Sequence, residues 1–118
     1  GLWTSLKADV LPLSIEEHEN FFSATSHLPH LISYALIKTI NDKDIDIKKF
    51  SAGGLSEFIR LTKSSETLWF DIFKSNLENI EKDTEAFINN MHDLLEEASK
   101  TDSKSLLKKI QLIKKGVS

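Results

Sequence analysis

The sequence predicts an all-α fold, a helical bundle with a kinked first long helix and a second long helix patterned in heptads. Three observations carry that expectation. The positions Leu77, Ile80, Thr84, Phe87, Met91, Leu94 and Ala98 alternate steps of three and four without a break, which is a heptad seam. Four glycines and two prolines in 118 residues leave little room for the turns that a sheet needs. No segment alternates apolar and polar residues as a half-buried strand does.

Residues 1–13 read as a leftover ahead of the domain, a short amphipathic turn and then Val10-Leu11-Pro12-Leu13, held extended by the proline. The start at Gly1, with no methionine, suggests a piece excised from a longer protein. The domain itself is expected over 14–118. Ser14 and Glu17 have the spacing of a capping box, and a helix should run from there to about Asn41. Its apolar positions Phe21, Ala24, Leu28, Leu31, Ile32, Ala35 and Ile40 recur at three- and four-residue steps. Asn41 to Lys49 reads as a loop, followed by Ala52-Gly53-Gly54 and a short helix from Leu55 to Lys63. Ser64 or Ser65 can cap the next helix, through Trp69 and Phe73, which read as core. The heptad helix should span about Asn76 to Ser99, with Ile88 and Leu95 widening its stripe toward a bundle or dimer interface. Asp102 or Ser103 caps a final helix with Leu106, Leu107, Ile110 and Ile113 inward.

A formal charge of −3 argues against a nucleic-acid partner, which would usually call for a basic excess. No apolar run approaches the roughly 18 to 20 residues of a membrane span, and no signal-peptide pattern is present. The absence of cysteine excludes disulfide and thiolate chemistry and is compatible with a reducing compartment; the expected location is cytoplasmic.

The candidates for chemistry begin with Ser26-His27-Leu28-Pro29-His30, two imidazoles and a hydroxyl around a proline inside a helix. Proline in a helix interior costs about 3 kcal/mol, so the segment either shapes a site or kinks the helix around a core. At about 100° per residue, Ser23, His27, His30 and Tyr34 share one stripe, either a polar pocket lining or a solvated face. No carboxylate spacing completes a metal site with the two histidines, and His92 with Glu96 reads as a surface pair. Gly53-Gly54 ahead of a helix is a weak anion signal without a preceding strand. Arg60 is the one arginine beside fourteen lysines. Its planar fork suits a carboxylate, and the plainer reading is a surface pair with Glu57. The C-terminal lysines Lys104, Lys108, Lys109, Lys114 and Lys115 read as solvated surface.

The order His18-Glu19, Ser26-His27-Leu28-Pro29-His30, Gly53-Gly54, Arg60, Ser64-Ser65, Trp69-Phe70-Asp71-Ile72-Phe73 and Asn76 resembles the C-terminal domain of prephenate dehydrogenase. The resemblance covers nearly the whole chain. It implies a two-domain enzyme of tyrosine biosynthesis, in which an N-terminal domain binds NAD or NADP and a helical C-terminal domain dimerises and closes the cleft. Prephenate, or arogenate in some relatives, would be oxidised by hydride transfer with loss of carbon dioxide. The family's catalytic histidine and glycine-rich fingerprint belong to the N-terminal domain, so this chain is expected to hold no catalytic residue and no cofactor. Residues 1–13 would be the end of that missing domain. By family position Arg60 holds a substrate carboxylate, His27 and His30 are pocket histidines with Ser26 beside them, and Glu57 joins the polar network at the entrance. Glu57 and Glu19 stand where the family usually has aspartate, Leu55 replaces a phenylalanine, Ser56 a basic residue and Glu66 a proline. The expected partners are a second copy of the chain and, for the parent, prephenate or arogenate. The competing reading is a helical interaction module that keeps the fold without substrate chemistry.

Overall fold

The computed structural model describes residues 14–49, 53–102 and 104–118 and is helical throughout its ordered elements. The expected leftover over residues 1–13, the start of the glycine turn at Ala52 and the alternative cap Ser103 lie outside the described residues. The chain divides into two compact units, one ending at Glu81 and one over Lys82–Ser118.

In the first unit, helix α1 (Ile15–Phe22) opens on the capping box. The Glu17 amide donates to Ser14 Oγ at 3.1 Å, and the Ser14 amide donates back to the Glu17 carboxylate at 3.4 Å. The long helix does not continue unbroken. Ser23–His27 form a π turn, in which the Leu28 amide reaches back to the Ser23 carbonyl. Helix α2 (Leu28–Asn41) then resumes with Pro29 in its first turn. The proline explains the π turn. An α-helical Pro29 would press its ring on the Thr25 carbonyl, and the wider turn removes that clash where a missing N–H is tolerated. The kink expected near the histidines is thus a π turn rather than a bent α-helix.

A 3₁₀ turn over Ile47–Lys49 occupies part of the expected loop. Gly53, at φ +70°, adopts the left-handed conformation that a side chain would strain, and leads into α3 (Leu55–Thr62). Helix α3 packs on α2. Helix α4 (Glu66–Ser75) starts at Ser65, whose Oγ accepts the Leu68 amide at 3.3 Å, so Ser65 and not Ser64 is the cap. Asn76 ends α4 and hands the chain to α5 (Leu77–Ser99). Trp69 and Ile80 are the buried hydrophobic side chains among the described residues.

In the second unit the later turns of α5 and helix α6 (Lys104–Lys115) form a hairpin. Asp102 starts α6, its carboxylate accepting the Lys104 amide at 3.0 Å. Glu97 joins the two helices: it accepts from Ser105 Oγ, pairs with Lys100 at 2.8 Å and lies 3.6 Å from Lys109. Lys109 also pairs with Asp93 at 2.6 Å. These donors hold the Glu97 carboxyl down at about 2, the Lys100 and Ser105 hydrogen bonds contributing most.

Two expectations about buried faces are corrected. Phe21, Ala24 and Ala35 are exposed, whereas Ser23 of the polar stripe and Ser33 are fully buried. Small serines permit close helix approach, and Ser33 Oγ satisfies itself on the Pro29 carbonyl at 2.8 Å. In α6, Leu107, Ile110 and Ile113 face outward and only Leu106 is partly covered. A two-helix hairpin has too little facing surface to bury an apolar stripe on both sides.

Candidate functional site

The π turn and α2 carry the histidines, and α4 and its C-terminal Asn76 meet them. The polar stripe of the first helix is therefore turned into the unit rather than to solvent. His30 lies flat on Trp69, with ring centroids 3.4 Å apart and planes 16° from parallel. His27 meets the same indole edge-on at 5.9 Å, and Trp69 contacts Phe73 at 5.7 Å. Trp69 is 7% exposed, so its reading as core stands, and the imidazole is part of what buries it.

Hydrogen bonding assigns the two imidazoles opposite tautomers. Asn76 Nδ2 donates to the Glu19 carbonyl at 2.8 Å and lies 3.1 Å from His27 Nδ1. An amide nitrogen only donates, so His27 Nδ1 accepts and its proton sits on Nε2. Asn76 Oδ1 accepts from Asn79 at 2.8 Å, which fixes the amide's orientation. His30 Nδ1 is 3.3 Å from the Ser26 carbonyl, which only accepts, so Nδ1 carries the proton. His30 Nε2 is left buried as a lone pair with no partner among the described residues. Burial lowers both imidazoles from their ordinary range, with the neighbouring His30 and His18 adding to the effect at His27 and Arg60 adding to it at His30. Both are neutral near pH 7.

A cleft of about 340 Å³ opens beside this seam, lined by His18, Glu19, Phe22, His27, Ser75 and Asn76 among others. His18 and Phe22, one turn apart, have ring centroids separated by 4.4 Å. Arg60 and Glu57 stand elsewhere on α3. Arg60 donates through Nε at 3.2 Å and Nη2 at 2.9 Å to one Glu57 oxygen, and its side chain is 67% exposed. The plainer reading of these two residues, an i, i+3 surface pair, describes this state. The charge of Arg60 contributes a small part of the lowering at His30. Ser26 enters through its carbonyl on His30.

Sequence reasoning missed Asn76 as the residue that orients His27. The available signal was an amide residue between two helical segments, a position where side chains commonly satisfy chain ends. His92 and Glu96, expected as a surface pair, are both exposed, and no ion pair or hydrogen bond joins them. Among the described residues no group of three or more metal-ligating side chains comes together, and no helix is long and apolar enough to cross a membrane. The described residues contain no strand, so they offer no strand-to-helix glycine turn that would fit a dinucleotide pyrophosphate.

A family model described as "Prephenate dehydrogenase, dimerization domain" matches residues 14–112. The chain is 31% identical over 83 residues to a prephenate dehydrogenase of Bacillus subtilis (strain 168), covering 68% of this chain and 22% of that protein. A cyclohexadienyl dehydrogenase of Zymomonas mobilis is 32% identical over 78 residues, covering 63% of this chain and 27% of that one. The chain thus spans about a quarter of the curated relatives it matches. Among solved structures, prephenate dehydrogenase from Aquifex aeolicus superposes with a TM-score of 0.78 at 31% identity, covering 86% of this chain and 37% of that one. A complex of the A. aeolicus enzyme with hydroxyphenyl propionate and NAD+ gives a TM-score of 0.73 at 30% identity, over 90% of this chain and 39% of that one.

Proposed function

The chain belongs to the prephenate dehydrogenase dimerization-domain family, and from that premise we propose that it is the dimerising and substrate-binding part of an NAD- or NADP-dependent prephenate or arogenate dehydrogenase. The proposed parent reaction oxidises the ring hydroxyl of prephenate with loss of the ring carboxylate as carbon dioxide, NAD or NADP taking the hydride, and yields 4-hydroxyphenylpyruvate. The described residues offer no strand-to-helix glycine turn for the dinucleotide, and no step through it is assigned to them. A cytoplasmic location belongs to the same proposal, and the absence of cysteine is compatible with it.

The observation that carries the substrate role is the pair of neutral histidines against Trp69, one with a buried, unpartnered lone pair. A flat aromatic seam beside polar nitrogens suits a cyclic acid, and the A. aeolicus relative is solved with hydroxyphenyl propionate, a phenol bearing a carboxylate. Once the seam opens, His30 Nε2, which is buried in this state, would accept a hydrogen bond from a ring hydroxyl. Neutral imidazoles supply no charge, so the cation for a substrate carboxylate is Arg60. Its exposed pair with Glu57 is worth about 0–1 kcal/mol, so exchanging Glu57 for a substrate carboxylate costs little.

Dimerisation is proposed on the amount of apolar surface a single chain leaves open. Met91, Leu95, Leu107, Ile110 and Ile113 are all exposed, Leu95 by 64%, on helices that have the stripe of a bundle.

The test is His30→Asn in the longer enzyme that carries this domain. The Michaelis constant for prephenate should rise about two- to tenfold, the scale of one neutral hydrogen bond, while that for the nicotinamide cofactor stays put. An unchanged prephenate constant in a variant with normal helical content and melting would overturn the assignment.

A further inference from the structure

At the entry to the π turn one backbone carbonyl has accepting capacity to spare, and Asn76 takes it. The Ser23 amide is shared between the Asn20 and Glu19 carbonyls, which leaves the Glu19 oxygen open to a second donor. Asn76 Nδ2 donates to that oxygen at 2.8 Å. A backbone carbonyl only accepts, so this contact by itself decides which end of the Asn76 amide is nitrogen. The amide nitrogen has two hydrogens. With one spent on Glu19, the other goes to His27 Nδ1 at 3.1 Å. The imidazole is thereby held with its proton on Nε2, across the ring from Asn76. That Nε2–H has no hydrogen-bond partner among the described residues, and unlike His30 Nε2 it is not sealed from solvent. Two imidazoles on one indole therefore offer opposite chemistry, a free donor on His27 and a free acceptor on His30.

We propose that Asn76 is a positioning residue for substrate binding: by fixing the tautomer of His27 it makes that imidazole a hydrogen-bond donor to an oxygen of the cyclic acid. The proposal rests on the substrate reading above and extends it to a residue that touches no substrate itself. The amide is the side chain that suits the place. A carboxylate there would set oxygen against the Glu19 carbonyl and would draw the His27 proton to Nδ1. A neutral His27 would then turn a lone pair toward the substrate oxygen, and the donor would become a repulsion. Only the doubly protonated ring would regain the Nε2–H. The titratable groups that face His27 are His18 from α1 and His30 from α2, which both oppose its protonation, with Glu19 along the same cleft. Asn76, at the junction of α4 and α5, adds no charge. His27 thus remains a neutral donor near pH 7, its tautomer set by the amide and not by a counter-charge.

The experiment joins a spectroscopic signature to kinetics. In this chain labelled with nitrogen-15 histidine, long-range proton–nitrogen correlations should show His27 protonated on Nε2 and His30 on Nδ1. Asn76→Asp should move the His27 proton to Nδ1 once the ring is neutral. In the longer enzyme, the Michaelis constant of Asn76→Asp for prephenate, divided by the wild-type value at each pH, should stay near one while His27 is doubly protonated. It should rise about tenfold as pH passes the raised His27 pKa, because only then is the donor lost. A purely structural role for Asn76 would leave that ratio level. Two measurements need no change at Asn76. His27→Asn, which keeps a polar group near Nδ1 and removes Nε2, should raise the constant about two- to tenfold, and His27→Gln, which restores an N–H near Nε2, should recover part of it. A wild-type His27 protonated on Nδ1, a level ratio in Asn76→Asp, or a folded His27→Asn enzyme with the wild-type constant would each overturn the proposal. If His30→Asn still raises the constant, the substrate reading survives that failure. If neither histidine variant changes it, the substrate reading falls as well.

Discussion

Asn76 ties the end of α4 to both the Glu19 carbonyl and the ring of His27, and replacing it by alanine should unhinge the site more than its size suggests. The side chain is 5% exposed and makes three hydrogen bonds, at 2.8 Å to Glu19, 3.1 Å to His27 and 2.8 Å from Asn79. Each is worth about 0.5–1.5 kcal/mol net, and all three lie in a partly buried setting where the groups left behind are not fully rehydrated. The expected loss for Asn76→Ala is therefore about 2–3 kcal/mol. With a urea slope of about 1.5 kcal/mol/M for a domain of this size, the midpoint should fall by about 1.5 M. Urea titration followed by circular dichroism, at one fixed protein concentration because association adds to stability, reads it directly. A cycle with His27→Ala should give a coupling of about 0.5–1.5 kcal/mol. Asn76→Asp supplies a further signature. A carboxylate there favours protonated His27 and raises its folded-state pKa above the unfolded value. The stability so gained is present below the unfolded pKa and lost as pH rises through the folded one, so this variant should recover relative to alanine on acidification. An Asn76→Ala midpoint equal to wild type, with no coupling to His27, would refute the proposed network.

Burial lowers the folded-state pKa of His27 and His30, so their contribution is complete above the ordinary value of 6.5 and is lost as pH falls through the lowered values. Urea midpoints should decline below about pH 6.5, and His27→Gln should flatten that decline, an equally steep decline in the variant counting against it. Met91→Glu should convert a species of twice the chain mass into one of the chain mass by light scattering at tens of micromolar, since a charge placed in the stripe must be desolvated to dimerise. Met91→Ala, which removes area alone, should remain largely dimeric, and a dimer persisting in Met91→Glu would place the interface elsewhere.

Much of the architecture was legible because it is written in local signals. The Ser14–Glu17 box, the Ser65 cap, the glycine turn before α3 and the heptad run each name their helix by short-range chemistry. Pro29 announced a disturbance, but choosing a π turn over a bend depends on the carbonyl one turn back. The inward face of the first helix was misjudged for a tertiary reason. Hydrophobicity assigns Phe21 to the core and leaves Ser23 between a pocket lining and solvent, yet Ser23 and Ser33 are fully buried and Phe21 is 47% exposed. The histidines and Arg60 could be singled out by residue type, whereas Asn76 could not, because its role depends on contacts 49 and 57 residues away in sequence.

We propose that this domain grips the substrate through Arg60, and steady-state kinetics on the longer enzyme carrying Arg60→Ala would show it. Prephenate bears two carboxylates, and the imidazoles at the seam are neutral, which leaves the guanidinium as the matching fork. Loss of one charge-assisted contact, about 1.5–3 kcal/mol, should raise the Michaelis constant for prephenate roughly ten- to a hundredfold, with a smaller fall in turnover and no change for the cofactor. Arg60→Lys should recover only part of the loss, one ammonium being unable to meet both oxygens. A folded Arg60→Ala enzyme with the wild-type Michaelis constant would show Arg60 to be no more than the surface partner of Glu57, and would contradict the account.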